Sequence, residues 1–314
     1  MNLRVLFLTL SIFTITLLSA QSNNPVIMTI NGNPVLKSEF EYIYNKNNTD
    51  NAIDKKTLEE YVDLFINFKL KVEEAKAQGI DTTKAFIDEF SGYRTQLAKA
   101  YLIDEESAAF VNGESSAYKD SQLEKKHNDF YFLMQEYHDG ILLFEISNKE
   151  VWERASKDVE GLKQFFEKNK DAYKWDKPHY KGRVILCKDK KTFKAAKAIA
   201  KKIDPDSLDK YLLERLNDNT QYVKIQHGLF AQGDNKVVDK QIFKVKNNVE
   251  LSEEYPYAFL VGRNLDYTPE NYLDVRGLAI ANYQDYLEKE WIRALREKYQ
   301  VTVDEKVLKT VKKN

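Results

Sequence analysis

Glycine and proline are scarce in this chain, 11 and 6 residues of 314, or about 5% against a usual ~12%. A chain with so few turn formers must spend most of its length in long regular elements, which favours helices over a loop-rich or all-β design. The apolar spacing agrees. Leu58, Tyr61, Val62, Phe65, Phe68, Val72 and Ala75 recur with helical period over Leu58–Gln78, and Gly79 stands where a left-handed residue closes a helix. Phe86, Phe90, Tyr93, Leu97 and Tyr101 repeat the pattern over Thr82–Ile103. Leu123–Lys157 carries a third run, with Gly140 predicted as a bend between two segments, and Val159–Lys170 makes one more short helix. Asn282–Tyr299 is a terminal helix with Tyr283, Leu287, Trp291 and Leu295 on one face.

Strands occupy the remaining stretches. Pro25–Asn31 alternates, meets the Asn31-Gly32 turn signal and continues into Pro34-Val35-Leu36, which predicts a hairpin. Ser38 and Glu41 have the spacing of a capping box opening a helix that carries Phe40, Ile43 and Tyr44. Val301 and Val303 follow the terminal helix and are predicted to pair with Val26–Ile30, since each would otherwise be an unpaired apolar edge. Glu105–Ser121 is small, polar and weakly periodic, as expected of a linker. From Trp175 the character changes. His179–Cys187 reads as a strand, Lys191–Ile203 and Asp206–Leu216 as helices, and Gln226–Phe243, Tyr257–Val261 and Val275–Ala279 as short extended pieces. The fold class predicted is α+β, mainly helical. A helical lobe is expected over 21–174, an α/β module over 175–281, and a terminal helix and strand over 282–314 that pack back on the lobe.

Met1–Ala20 has the order of a secretory signal: Arg4, the apolar run Val5–Leu18, then Ser19-Ala20. That run, about 14 residues, is shorter than the roughly 20 that cross a bilayer, and no Cys follows it to accept a lipid. With a mean hydropathy of -0.57, the mature chain is expected in the periplasm with no integral span. A single Cys leaves no internal disulfide framework, so packed cores must hold the fold. A net charge of -1 with Lys and Glu interspersed gives no basic footprint, so no nucleic-acid partner is expected.

No GxSxG, HExxH, Walker-A run or GxGxxG occurs. Cys187 lies in an apolar strand and reads as a core residue rather than a nucleophile paired with His179. His127 and His138, about 16 Å apart along a helix, are too distant to share a metal ion. His227, beside Gly228, reads as a solvated turn residue rather than a pocket residue. No metal and no cofactor are implied. The 19 Tyr and 17 Phe mostly fall at core spacing, and those left exposed would suit extended polypeptides.

The segment VIMTINGNPVLKSEFEYIY, followed by LKVEEAKAQGI, resembles the opening of SurA-type periplasmic chaperones and related parvulin-containing foldases. YLEKEWIRALREKYQVTV resembles their closing helix and strand. GRVIL, KDKKTFKAAKAIAKKI, HGLF and VVDKQIF resemble successive parts of a parvulin, the small prolyl isomerase module. The organisation is similar to a Bacteroidetes-like version that lacks one parvulin module near Glu105–Ser121. Active parvulins carry two histidines and a Cys or Asp around the twisting amide. Aligned on that pattern, the first His position falls on Val184, the second on Ala279 and the Cys or acid position near Gln226, and the family's Met and Phe of the proline pocket have no equivalents near Lys236–Asp239. The resemblance therefore implies a degenerate module with no catalytic residues, and Leu229, Phe230, Val238 and Phe243 as peptide-binding candidates. It implies a chaperone of unfolded or outer-membrane-bound polypeptides. The alternatives are a divergent prolyl isomerase built on Val184, Phe230 and Ala279, and a fixed subunit of an envelope assembly.

Overall fold

The computed structural model describes residues 24–49, 55–112, 122–246 and 251–312; the signal-like segment Met1–Ala20 and the later part of the expected linker, 113–121, lie outside the described residues. The chain forms two compact units, Met1–Glu153 with Leu287–Asn314 (unit 1) and Arg154–Tyr286 (unit 2). The boundary expected at 174/175 falls inside unit 2. No helix among the described residues is long and apolar enough to cross a membrane.

Unit 1 begins with the predicted hairpin. Strands β1 (Val26–Ile30) and β2 (Asn33–Leu36) run antiparallel with Ile30↔Asn33 as the pair beside the turn. Asn31 and Gly32 both have positive φ, 52° and 79°, as a two-residue type I′ turn requires. Strand β6 (Val301–Val303) takes the other side of β1, with Met28↔Val303 and Ile30↔Val301, giving the order β2-β1-β6. The hydroxyls of the facing pair Thr29 and Thr302 meet at 2.5 Å. The pairing expected between the two ends of the sequence is therefore present.

Helix α1 (Lys37–Asn47) follows β2 without a spacer. The predicted Ser38–Glu41 box does not form, because the helix starts one residue earlier and Ser38 is already helical. The chain entering β1 caps it instead: Asn24 Oδ1 accepts from the Ser38 amide at 2.9 Å, and the Pro25 carbonyl accepts from the Lys37 amide at 2.9 Å. Glu41 accepts from the Lys312 amide. A capping box does open α2 (Leu58–Ala77), where Thr57 and Glu60 bond each other's backbone reciprocally. Gly79, at φ 70°, follows that helix in the left-handed conformation the sequence demanded.

Helix α3 (Lys84–Asn112) runs past the expected end at Ile103 and through the first half of the expected linker. No Gly or Pro stands between Gly92 and Gly113, and Glu105, Glu106, Ala108 and Ala109 are good helix formers. Helix propensity outlasts the apolar stripe there. The bend predicted at Gly140 is also absent. The break lies at His127, between α4 (Leu123–Lys126) and α5 (Asn128–Ser147), and a π turn at Asn148–Trp152 leads into α6 (Glu153–Lys157). A helical glycine costs only ~1 kcal/mol, less than burying Met134, Leu142 and Ile146 along the same helix contributes. The core of unit 1 joins Ile27, Phe40, Phe65 and Leu70 to Leu295 and Leu308.

In unit 2, α7 (Val159–Lys168) is capped by Asp158, which accepts from the Gly161 amide at 2.8 Å. A second sheet follows: β3 (His179–Cys187) is central, with β4 (Val223–Ala231) and β5 (Tyr257–Asp266) antiparallel on either side. One face, bearing Ile185 and Cys187, packs on α8 (Lys190–Ala200) and α9 (Pro205–Leu216) through Ala196, Leu208 and Leu212. The other, bearing Tyr180 and Val184, packs on α10 (Lys236–Gln241) through Val237 and Val238. Two expected extended pieces are helical. The stretch after Ala231 turns into α10 because Asn235 caps it, accepting from the Val237 amide at 2.9 Å. Val275–Ala279 is the end of a 3-10 turn (Tyr272–Val275), opened by an Asn271–Asp274 box, and the start of α11 (Arg276–Lys298). This helix contributes Tyr283 to unit 2 and Leu295 to unit 1.

Candidate polypeptide-binding surfaces

Two hollows adjoin on the outer face of α5, sharing Glu136 and Gly140 in their linings. One, of about 290 Å³, lies against α1 and α2 and is lined by Ile43, Tyr61, Leu64, Phe65 and Phe68. The other, of about 410 Å³, lies against α3 and is lined by Tyr93, Leu133, Tyr137, Ile141 and Phe144. Leu64 is 50% and Phe144 57% exposed. These are large apolar side chains held in water by rigid helices. A Cβ placed on Gly140 would meet nothing within 4 Å, so the glycine leaves a low floor where the hollows meet. Lys46 and Glu136, paired at 2.6 Å, supply charge at the rim.

The three helices that bear the first hollow are tied together beneath it. Lys69 of α2, 7% exposed, donates to Glu39 of α1 at 2.8 Å and to Asp139 of α5 at 2.7 Å. His138 Nδ1 lies 2.9 Å from the other Asp139 oxygen, with its ring edge-on to Phe86 and Phe90. Burial opposes ionisation of both partners, yet the pairing outweighs it: Lys69 is held above its ordinary pKa and Asp139 below. Removing either charge would strand the others in a low-dielectric site, so the triad fixes the spacing of the helices that form the hollow.

None of these cleft residues was singled out from sequence as a binding residue. The available signal was Gly140 itself, a glycine inside a strongly periodic helix, which sequence reasoning spent on a bend.

Unit 2 places the residues that sequence did single out. Val184 is fully buried, and its neighbours across the sheet are Gln226 of β4 and Leu260 of β5. Gln226 is exposed, with its side-chain oxygen 3.4 Å from Asn235 Nδ2. Ala279 is not a strand residue: it lies on α11, outside the cluster around Val184, because the third strand of the sheet is β5. Phe230, Val238 and Phe243 belong to the Val184 cluster, with Val238 fully enclosed, whereas Leu229 points to the opposite face. Cys187 is buried, and burial pushes its thiol up to about 11. His179 stacks on Trp175 at 3.9 Å at the far end of the same strand.

Gly228, Gly182 and Gly262 stand opposite one another across all three strands. Side chains are excluded there. A Cβ on Gly228 would fall on the Phe230 ring, and one on Gly262 would fall on the Lys181 carbonyl and the Tyr180 hydroxyl. The glycine row thus lets Tyr180 and Phe230 lie flat along the sheet. On the opposite face a groove of about 690 Å³ runs past Leu229 and Leu273. Within it Asp209 is bonded by Arg183 at 2.6 Å and approached by His227, Lys181 pairs with Asp274 at 2.6 Å, and Asp206 and Arg263 line the groove as well. His227 is therefore a strand residue, its Nε2 beside the Asp209 carboxylate, rather than a turn residue. Among the described residues, no group of His, Cys, Asp and Glu is arranged to hold a metal ion.

No family model matches the chain, and no curated protein matches it. A solved structure from Campylobacter jejuni, described with the virulence factor PEB4 and the periplasmic protein Cj1289 as SurA-like chaperones, aligns over 90% of this chain and 100% of its own. The identity is 16% and the TM-score 0.32, too low to define a shared overall arrangement.

Proposed function

We propose that this protein is an exported, SurA-type chaperone that holds unfolded or outer-membrane-bound polypeptides without covalent chemistry, and that residues 175–281 are a parvulin-like module which has lost its reactive side chains. The observation that carries the reading is the open apolar cleft over Gly140. It presents Leu64, Tyr93 and Phe144 to water on a scaffold fixed by a buried ion triad. Its lining is mostly aromatic and aliphatic, with the Lys46–Glu136 pair, Glu89 and Asn47 as its polar groups, a chemistry that favours extended apolar segments over small polar ligands. The resemblance of both chain ends to SurA-type proteins, and the signal-like first twenty residues, support placement in the periplasm. Leu229, Phe230 and Phe243 remain candidates for a second contact region, with Val238 as backing.

The test is light scattering of an unfolded outer-membrane β-barrel protein on dilution from urea. The mature protein is expected to suppress aggregation near equimolar ratio, and Gly140→Leu, which fills the cleft floor, to weaken that suppression at least fivefold. No suppression at tenfold excess would remove the chaperone reading. Acceleration of a proline-limited refolding phase would favour the isomerase instead.

A further inference from the structure

Strand β4 is an edge strand, since the sheet order is β4-β3-β5. Its outward-facing residues can be identified from what meets them at the two ends. At Val223, the Asn217 side chain accepts from the amide at 2.8 Å and donates to the carbonyl at 3.0 Å. At Ala231, Asp234 Oδ2 accepts from the amide at 2.8 Å, and the Asp234 amide donates to the carbonyl at 3.1 Å. In an antiparallel strand, the residues whose backbone groups face one side alternate. Val223 and Ala231 face outward, so Ile225, His227 and Leu229 do as well. Among the described residues, no partner meets the outward amides or carbonyls of these three.

The edge is thus terminated at both ends by single residues that imitate a neighbouring strand, and left unpaired between them. Protective devices on natural edges usually act along the strand, as charges, bulges or covering segments. Here they act at the limits. The open stretch spans residues 225–229, about 17 Å at 3.4 Å per residue. Apolar groups flank one end of it, the Phe230 ring over Gly228 on one face and Leu229 on the other, beside the exposed Gln226 and His227. Of the charged groups nearby, Arg183 pairs with Asp209, His227 Nε2 lies beside the same carboxylate, and Lys224 is exposed on the strand next to Ile225.

We infer that the open part of the β4 edge takes an extended polypeptide segment of about five residues as a fourth strand of this sheet. The six outward backbone groups specify a peptide backbone rather than any side-chain ligand, and the two end stops set its length. This rests on the polypeptide-binding reading and names a site for it in unit 2.

The experiment uses the full mature protein with reduced, carboxymethylated α-lactalbumin as a permanently unfolded client, and follows amide hydrogen exchange by NMR. On client binding the outward amides of Ile225, His227 and Leu229 are expected to slow at least tenfold. The inward amides of Lys224 and Gln226, already paired with β3, are expected to hold their rates. Two variants separate backbone from side chain. His227→Pro removes one outward donor at an edge position where proline is tolerated, and is expected to weaken client binding about tenfold. His227→Ala removes the imidazole, keeps the donor and is expected to bind as the parent does. Binding with unslowed outward amides, or equal effects of the two variants, overturns the strand-addition site and leaves the chaperone reading standing. Absence of any client binding by the parent overturns both.

Discussion

The two three-stranded sheets of this molecule treat their edges in opposite ways. In unit 1 the edges are too short or too blunt to recruit anything: β6 has three residues, and β2 carries Pro34. The sheet is a clasp that joins both ends of the described chain. In unit 2 the strands have nine and ten residues, and β4 is left open between two side-chain stops. The first sheet closes a fold, while the second retains unpaired backbone that folding did not use. The interiors differ in the same sense. Unit 1 buries Lys69, Lys71, Glu73 and Glu74 along one helix, whereas the sheet of unit 2 is packed on both faces by aliphatic and aromatic residues.

If the first sheet is a clasp, cutting it should cost more than any point change. A chain ending at Gln300 loses β6, Leu308 and Val311, and uncovers Ile27, Met28 and Ile30 of β1. At roughly 1.5–3 kcal/mol per buried aliphatic side chain the loss is about 5 kcal/mol or more, comparable to the whole stability of many domains. Unit 1 should therefore be unfolded in this variant, seen as loss of dispersed methyl resonances from Ile27 and Leu70. Retention of those resonances would show that the clasp is ornamental.

Next in size is Lys69→Met. It leaves Glu39 and Asp139 buried without their shared cation, a loss of about 3–5 kcal/mol, to be read by urea unfolding. The triple change of Lys69, Glu39 and Asp139 to apolar residues of similar size is expected to recover most of it. Recovery would separate the cost of a stranded charge from the value of the triad. The triad, together with Glu74 bonded by Lys298 and Tyr299, predicts an acid limit for unit 1. Asp139 and Glu74 are held below their ordinary values, so their contribution is full above roughly pH 4–5 and is lost as pH falls through the depressed folded values. Lys69, held above its ordinary value, contributes fully until pH passes roughly 10.4.

Unit 2 should weaken first on the alkaline side. The Cys187 thiol, pushed up to about 11 by burial, stabilises the folded state below its unfolded value near roughly 8.5 and loses that contribution as pH rises toward its folded one. Tyr283, raised to about 12 by burial and by the bond to Asp158, adds to the decline above roughly pH 10; Tyr61 and Tyr299, also raised by burial, act in the same direction on unit 1 only there. Unfolding followed through Trp175 in one single-tryptophan variant and Trp291 in another, between pH 8.5 and 10, should therefore show a falling midpoint for the first alone. Equal slopes would remove the contrast.

Much of this fold was legible in the sequence where side-chain periodicity and backbone chemistry pointed the same way. The Asn31-Gly32 hairpin, the Gly79 stop, the β3 strand and the pairing of Val301–Val303 with Val26–Ile30 are of this kind. Where the two disagreed, the structure followed packing and capping. Ser38 lost its capping role because Asn24 reaches it from outside the helix, and a contact across fourteen positions leaves no local pattern. Val275–Ala279 looked extended because it is short and apolar, yet the Asn271–Asp274 box starts a helix there. The cleft was legible only through Gly140: Leu64 and Phe144 sit on helices that also carry buried apolar residues, and spacing alone cannot say which face finds no partner.

The smallest effects come from two glycines that the same substitution should push in opposite directions. Gly161 lies in the first turn of α7, where Asp158 caps the helix and also accepts from the Tyr283 hydroxyl at 2.7 Å. A Cβ at Gly161 would fall on both the Asp158 carboxylate and the Tyr283 oxygen. Gly161→Ala must therefore break the cap or the tyrosine bond, a loss of about 1–3 kcal/mol. Gly140 is mid-helix, exposed, and open on the side where a Cβ would stand. Gly140→Ala should raise stability by about 0.5–1 kcal/mol, because alanine has less backbone freedom to lose on folding. Thermal unfolding of the pair checks both signs. If Gly140→Ala stabilises while client affinity falls, the glycine has been kept against stability for the sake of the cleft, and the open floor is functional rather than incidental.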